Sequence, residues 1–196
     1  MKIKKINRMV VKIGSSLLID KDKGVNNNFL NNISEDIVSL KKGDIETLIV
    51  SSGAIEVGKI ELNKTKEKFN LSESQAASSI GQIKLINAWK DSLGKFDLNA
   101  AQILITAEDT ENRKRFLNAR STIEELMREK YIPIINENDT VATSEIRYGD
   151  NDRLAARIAG MVAADCLILL SNVEGLYEKD PSNEESRLVN NVETID

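Results

Sequence analysis

Five short apolar runs constrain this chain more than anything else in it. They occupy residues 9–13, 47–50, 101–105, 132–135 and 165–170. Between them, apolar residues recur at helical spacing. One stripe is Leu30, Ile33, Ile37, Val38 and Leu40, and a second is Ile55, Val57, Gly58 and Ile60. A third is Ala76, Ala77, Ile80, Ile83, Ile86 and Trp89. Phe116, Ala119, Ile123, Leu126 and Met127 form a fourth, and Leu154, Ala155, Ile158, Ala159 and Met161 a fifth. Short continuous apolar strands alternating with amphipathic helices predict an α/β fold: a three-layer sandwich whose mainly parallel sheet is covered on both faces.

In such a sheet the loops at the carboxyl ends of the strands share one edge, and ligands bind there. The loop residues are correspondingly small or polar. Lys12 precedes Gly14-Ser15-Ser16, which suits phosphate through backbone N–H groups and an ammonium; taken alone, the stretch reads more simply as an edge strand with a solvent-facing lysine. No Walker A pattern is present. Ser51-Ser52-Gly53-Ala54 lets a ligand approach the backbone closely, or is an ordinary turn capped by Ser52. Asn136, Glu137, Asn138 and Asp139 follow the fourth run, and Asp150, Asn151 and Asp152 open the next helix. They read either as a crevice or as a solvated loop with Asn151 or Asp152 as a cap. The fifth strand leads to Ser171 and Asn172.

The other segments are simpler. Residues 63–70 are a charged surface loop, and 72–93 a helix with Ser72 and Ser74 as candidate caps and Trp89 in core or subunit-interface packing. Residues 111–130 form one helix with Arg113, Lys114, Arg115 and Arg120 on a solvated face.

Composition closes several alternatives. The 196 residues are 41% hydrophobic and carry a net charge of -4, so a core can form and no basic stripe invites nucleic acid. There is no histidine, which removes His-based triads and the usual zinc sites. One cysteine, Cys166, reads as a buried structural thiol and fits a reducing, cytoplasmic compartment. No run reaches the roughly 18 apolar residues of a membrane span. Lys12, Gly14, Ser15 and Ser16 interrupt the N-terminal apolar run, so it is no signal peptide.

A lysine, small-residue turns and placed carboxylates, with no nucleophile beside a base, suit phosphoryl transfer, which asks for positioning and charge neutralisation. The crevice carries Glu137, Asp139, Glu145, Asp150 and Asp152 against Arg147 alone. That balance disfavours a phosphorylated acceptor and favours one with an ammonium group, such as an amino acid.

In order, VVKIGSS, IVSSGAIEVG, RKRFLNARST, IPIINENDTVAT, GDND and LILLSNVEGLY-x-x-DP resemble the amino-acid kinase family, over residues 9–181. INEND followed by GDND is similar to its glutamate-phosphorylating branch, which acts first in proline synthesis, and unlike the aspartokinase, acetylglutamate kinase and uridylate kinase branches. The resemblance implies transfer of the ATP γ-phosphoryl group to the side-chain carboxylate of L-glutamate. It implies that Lys12 contacts ATP phosphate and that Asp152 orients the catalytic lysine. It implies Ser52, Asp139 and Asn151 as glutamate contacts and Ser171 and Asn172 as nucleotide contacts, although the family usually has Asp where Asn172 stands. Mg2+ comes with the ATP chemistry, its ligands unspecified. A homo-oligomer, proline feedback and handover to glutamate-5-semialdehyde dehydrogenase are further family expectations. The family's later Gly-Thr-Gly-Gly-Met segment, second lysine and RNA-modification-type PUA domain have no counterpart here. Residues 1–196 are therefore expected to be the N-terminal, substrate-binding portion of the kinase domain, incomplete at its C-terminus, binding glutamate weakly or not at all alone and turning over poorly. The alternative is a truncated, non-catalytic glutamate-binding or interaction protein.

Overall fold

A computed structural model describes residues 5–20, 24–142, 151–183 and 186–192. It contains β1 (Arg8–Ile13), α1 (Ser15–Leu18), β2 (Ile19–Asp20), β3 (Gly24–Val25), α2 (Asn27–Lys42), β4 (Glu46–Ser51), α3 (Ala54–Glu61) and α4 (Leu71–Gly94). Then come β5 (Asn99–Ile105), α5 (Ala107–Glu111), α6 (Arg113–Arg128), β6 (Tyr131–Glu137), α7 (Asn151–Met161), β7 (Cys166–Leu170), β8 (Leu176–Tyr177) and β9 (Leu188–Val189). The five predicted strands form one parallel sheet in the order β5-β6-β4-β1-β7. Short antiparallel pairs β2-β3 and β8-β9 lie outside it.

Side chains alternate across each strand, and two core clusters follow. Met9, Val11, Ile13, Ile49, Ile132 and Ile134 pack on one face with residues of α2 and α4. Val10, Leu48, Val50 and Ile135 pack on the other with Ile123 of α6 and Leu154, Ala155 and Ile158 of α7. The three layers are thus helices, sheet, helices. By the same alternation Lys12 shares the face of Val10, toward α7. Ile13 pairs with both Ser51 and Leu170, and Val50 with Ile135. This register brings the ends of β7, β1, β4 and β6 level, so that their loops emerge side by side.

Four local expectations change. The α4 cap is Asn70, not Ser72 or Ser74: Asn70 Oδ1 accepts from Glu73 N–H while the Glu73 carboxylate accepts from Asn70 N–H. The buried face of α4 is also different. Ile80 and Ile83 are 37% and 63% exposed and Ala76 is exposed, whereas Ser74, Ala77, Ser78, Gly81, Leu85 and Trp89 are buried. The reason is close packing. A Cβ on Gly81 would sit 1.8 Å from Ala54 O, and one on Gly58 1.8 Å from Ala77 O, so α3 and α4 meet at backbone contact and only a small-residue face fits. The helix expected over 111–130 begins anew at Asn112, whose side chain accepts from Lys114 and Arg115 N–H. Arg115 and Arg120 are ion-paired, to Asp109 and Glu124. Finally, Cys166 is half-buried, because β7 is the outer strand of the described sheet.

Candidate active site

The strand ends surround a basin of about 260 Å³ lined by Lys12, Gly14, Ser15, Ser16, Ser52, Gly53, Ala54, Ile55, Glu56, Asn136, Glu137, Asp139, Asn151 and Ser171. Lys12 comes from an interior strand, so the edge-strand reading falls. It is 8% exposed, and its Nζ lies 2.6 Å from Asp152 Oδ1 in the first turn of α7. The Asp152 side chain remains 53% exposed. The pair holds the ammonium at the basin wall while the carboxylate keeps its hydration.

Asn151 is the hub. Its Nδ2 lies 3.0 Å from Ser51 O, 2.8 Å from Ser52 Oγ and 3.0 Å from Asn136 Oδ1, and all four groups are buried. One amide thereby ties α7 to the ends of β4 and β6. Asn136 Oδ1 also accepts from Glu137 N–H at 2.9 Å. Beneath the hub, Trp89 Nε1 donates to Ser51 Oγ at 3.1 Å. Gly53 is left-handed, with φ +101, and a Cβ there would meet Ile19 at 3.0 Å; a glycine is required for the chain to turn into α3.

Asp139 follows β6 in a tight turn in which Asn138 N–H bonds Ile105 O and Ala142 N–H bonds Asn138 O. Burial pushes its carboxyl above the usual carboxylate range; a hydrogen bond from Ser78 at 2.5 Å opposes this, and the Glu56 charge adds to it. A partner bearing positive charge would relieve the burial cost.

Lys12, Ser52, Asp139, Asn151 and Ser171 therefore meet at one basin, with Asp152 joined through Lys12. Asn172 does not line it; it is exposed and within 3.4 Å of Ser171 Oγ. Glu145, Arg147 and Asp150 lie outside the described residues. Two details differ from expectation. Asn136 and Glu137 belong to β6 itself rather than to the loop after it. The Gly14 N–H is committed to Leu170 O at 3.0 Å and the Ser52 N–H to Ile13 O at 3.2 Å, so neither is available to an anion. Sequence reasoning also missed Ser78 and Glu56. The Ser74, Ser78, Gly81 spacing, a small-residue face at i, i+4 and i+7, was the available sign of the first.

The described structure is thus an α/β fold whose parallel sheet has one polar edge, with a buried lysine there paired to an aspartate at the start of a helix. The amino acid kinase family model matches residues 7–196, and the chain belongs to that family. It is 53% identical over 182 residues to glutamate 5-kinase 1 of Mesorhizobium japonicum, covering 93% of this chain and 48% of that protein. It is 52% identical over 195 residues to the glutamate 5-kinases of Brucella ovis and Brucella canis, covering 99% of this chain and 52% of each. The chain thus spans about half the length of the curated relatives it matches. Among the described residues, no helix is long and apolar enough to cross a membrane.

Proposed function

We propose that residues 1–196 are the acceptor-binding part of a glutamate 5-kinase. A side-chain carboxylate oxygen of L-glutamate attacks the γ-phosphorus of ATP as the bond to the departing ADP oxygen breaks, giving γ-glutamyl phosphate. The observation that carries this reading is the convergence of the buried Lys12–Asp152 pair with Ser52, Asn151 and Asp139 on one basin.

Each group has a task that its surroundings support. Lys12 neutralises negative charge on the transferring phosphoryl group, and Asp152 orients it; such preorganised charge is the main contribution a protein makes to this reaction. Asp139 receives the substrate ammonium. Ser52 Oγ accepts from Asn151, which leaves its own proton for a substrate carboxylate. At about 260 Å³ the basin is at the small end of ligand pockets, sized for an amino acid. The nucleotide extends past it toward Ser171 and Asn172. Mg2+ would arrive with the ATP phosphates, whose charge it neutralises during the transfer.

An acyl phosphate is prone to hydrolysis, which favours direct handover to glutamate-5-semialdehyde dehydrogenase. A cytoplasmic homo-oligomer completes the reading, and a single cysteine is consistent with that compartment. The test is a chimera in which this chain replaces the matching half of the Brucella ovis relative, assayed for glutamate-dependent ADP release, beside calorimetry of this chain with L-glutamate. Turnover with glutamate but not aspartate supports the proposal. Glutamate binding with no turnover in the chimera would favour the non-catalytic alternative, and neither binding nor turnover would end the reading.

A further inference from the structure

The turn that carries Asp139 is held from one side by a single helix. Gln75 Nε2 of α4 donates to Ala142 O at 3.0 Å, and Ser78 Oγ donates to Asp139 Oδ2 at 2.5 Å. Ser79 Oγ lies 3.4 Å from Thr140 Oγ1, and Gln82 Nε2 donates to Glu137 O at 3.3 Å. Positions 75, 78, 79 and 82 fall on one side of two helical turns. The α4 backbone is itself pinned against α3, where Gly81 meets Ala54 and Gly58 meets Ala77. The Ser78 hydroxyl, 1% exposed, is therefore a donor fixed in space rather than a mobile surface group.

We propose that Ser78 is a positioning residue: it holds one carboxylate oxygen of Asp139 so that the other faces the basin for the ammonium group of an amino-acid acceptor. This rests on the acceptor-binding role proposed above for Asp139. The chemistry of the donor matters. A lysine or arginine at 78 would orient the carboxylate and also neutralise it, cancelling its pull on a cation. A hydroxyl orients it and leaves its charge to the ligand. The row on α4 brings no charge of its own. Of the charged groups around the same basin, Glu56 on α3 opposes ionisation of Asp139; Glu137 ends β6, Lys12 of β1 also lines the basin, and Asp152 of α7 is engaged with Lys12.

The test compares this chain with its Ser78→Ala and Ser78→Cys variants. Cysteine keeps the volume but is a weak donor. Carboxyl 13C NMR follows the Asp139 titration directly, and calorimetry follows L-glutamate affinity at neutral pH. In both variants the Asp139 midpoint moves to higher pH, and glutamate affinity falls about tenfold, the order of one charge-assisted hydrogen bond. An unmoved Asp139 midpoint in Ser78→Ala overturns the proposal. So does a Ser78→Cys variant that titrates like the parent while Ser78→Ala does not, since that pattern reports packing rather than donation. A shifted midpoint in a chain that takes up no glutamate at any pH, beside a chimera without glutamate turnover, upholds the role of Ser78 and removes the glutamate reading instead.

Discussion

Replacing Asn151 by Asp exchanges one buried donor for an acceptor without changing its size. In the parent the Nδ2 group serves three oxygens, those of Ser51, Ser52 and Asn136, and the residue is 5% exposed. Ser52 can rotate its hydroxyl and donate to the new oxygen. The Ser51 carbonyl and Asn136 Oδ1 cannot, so two acceptors lose this donor and face an oxygen instead. At about 1–3 kcal/mol for each, the variant should lose about 2–6 kcal/mol at neutral pH, a large share of a total that is typically about 5–15 kcal/mol. An ionised carboxylate is the worst occupant, and burial pushes the new carboxyl upward. The folded variant then binds its proton more tightly than the unfolded chain, so its stability falls as pH rises above the unfolded value of about 3.9. Below that pH the protonated acid supplies one donor and part of the loss is recovered. Urea melts of both proteins at acid and neutral pH give the difference directly, since the parent's own pH dependence cancels. A neutral-pH midpoint equal to the parent's, or a loss that does not vary with pH, would show that Asn151 is not the tie between α7, β4 and β6.

Four further substitutions have accessible outcomes. Gly81→Ala places a Cβ 1.8 Å from the Ala54 carbonyl and should lower the unfolding free energy read from urea melts by about 1–3 kcal/mol, outweighing the helix preference of alanine; Gly160→Ala, with nothing within 4 Å, should raise it by up to about 1 kcal/mol. Lys12→Met leaves a half-exposed Asp152 that water can solvate, so the melting midpoint should hardly move while glutamate-dependent ADP release by the chimera falls about 10²-fold or more; unchanged turnover would remove Lys12 from the reaction. Because burial raises the Asp139 carboxyl, ionising it costs the fold stability above its unfolded pKa. Asp139→Asn should then stabilise the chain at neutral but not acid pH while weakening glutamate binding, and calorimetry on the parent should show glutamate affinity rising with pH and then levelling.

What could be read from the sequence was set by the range of the interactions involved. The five strands were recoverable because a buried parallel strand is apolar on both faces, a local property of four to six residues. Lys12 stood out for the same reason, as a charge inside such a run. Asn151 was visible as a polar residue opening a helix, but its partners were not, since Ser51, Ser52 and Asn136 reach it only through the register of β4 and β6. The α4 face was misassigned because isoleucines at helical spacing outweigh serines and glycines on any hydropathy scale. Here the distance between α3 and α4 decided the matter, and that distance is set by the absence of side chains at Gly58 and Gly81. Asn70 was missed in favour of Ser72 and Ser74 because all three are good caps by type; only the reciprocal bond with Glu73 separates them.

The position of Lys12 is difficult to explain by folding alone. Its neighbours along β1 and across it, Val10, Val11, Ile13 and Val50, are core residues, and an apolar side chain of equal length would complete the same layer. Buried ion pairs are commonly no better for stability than the apolar groups that could replace them. The partner Asp152 is half-exposed, so the pair gains less than a fully enclosed one while the lysine still bears most of the desolvation. The arrangement becomes economical once an anion occupies the basin. The ammonium then has a second counter-charge, already oriented by Asp152 and facing an edge where β1, β4, β6 and β7 end level. The polar residues at those ends do not contribute to the core, yet the register aligns them on a single basin. A site assembled this way is stable without its ligand only because the cost is concentrated in a few groups, chiefly Lys12 and Asp139, and those are the two whose charges a zwitterionic acceptor and a phosphoryl group would each satisfy.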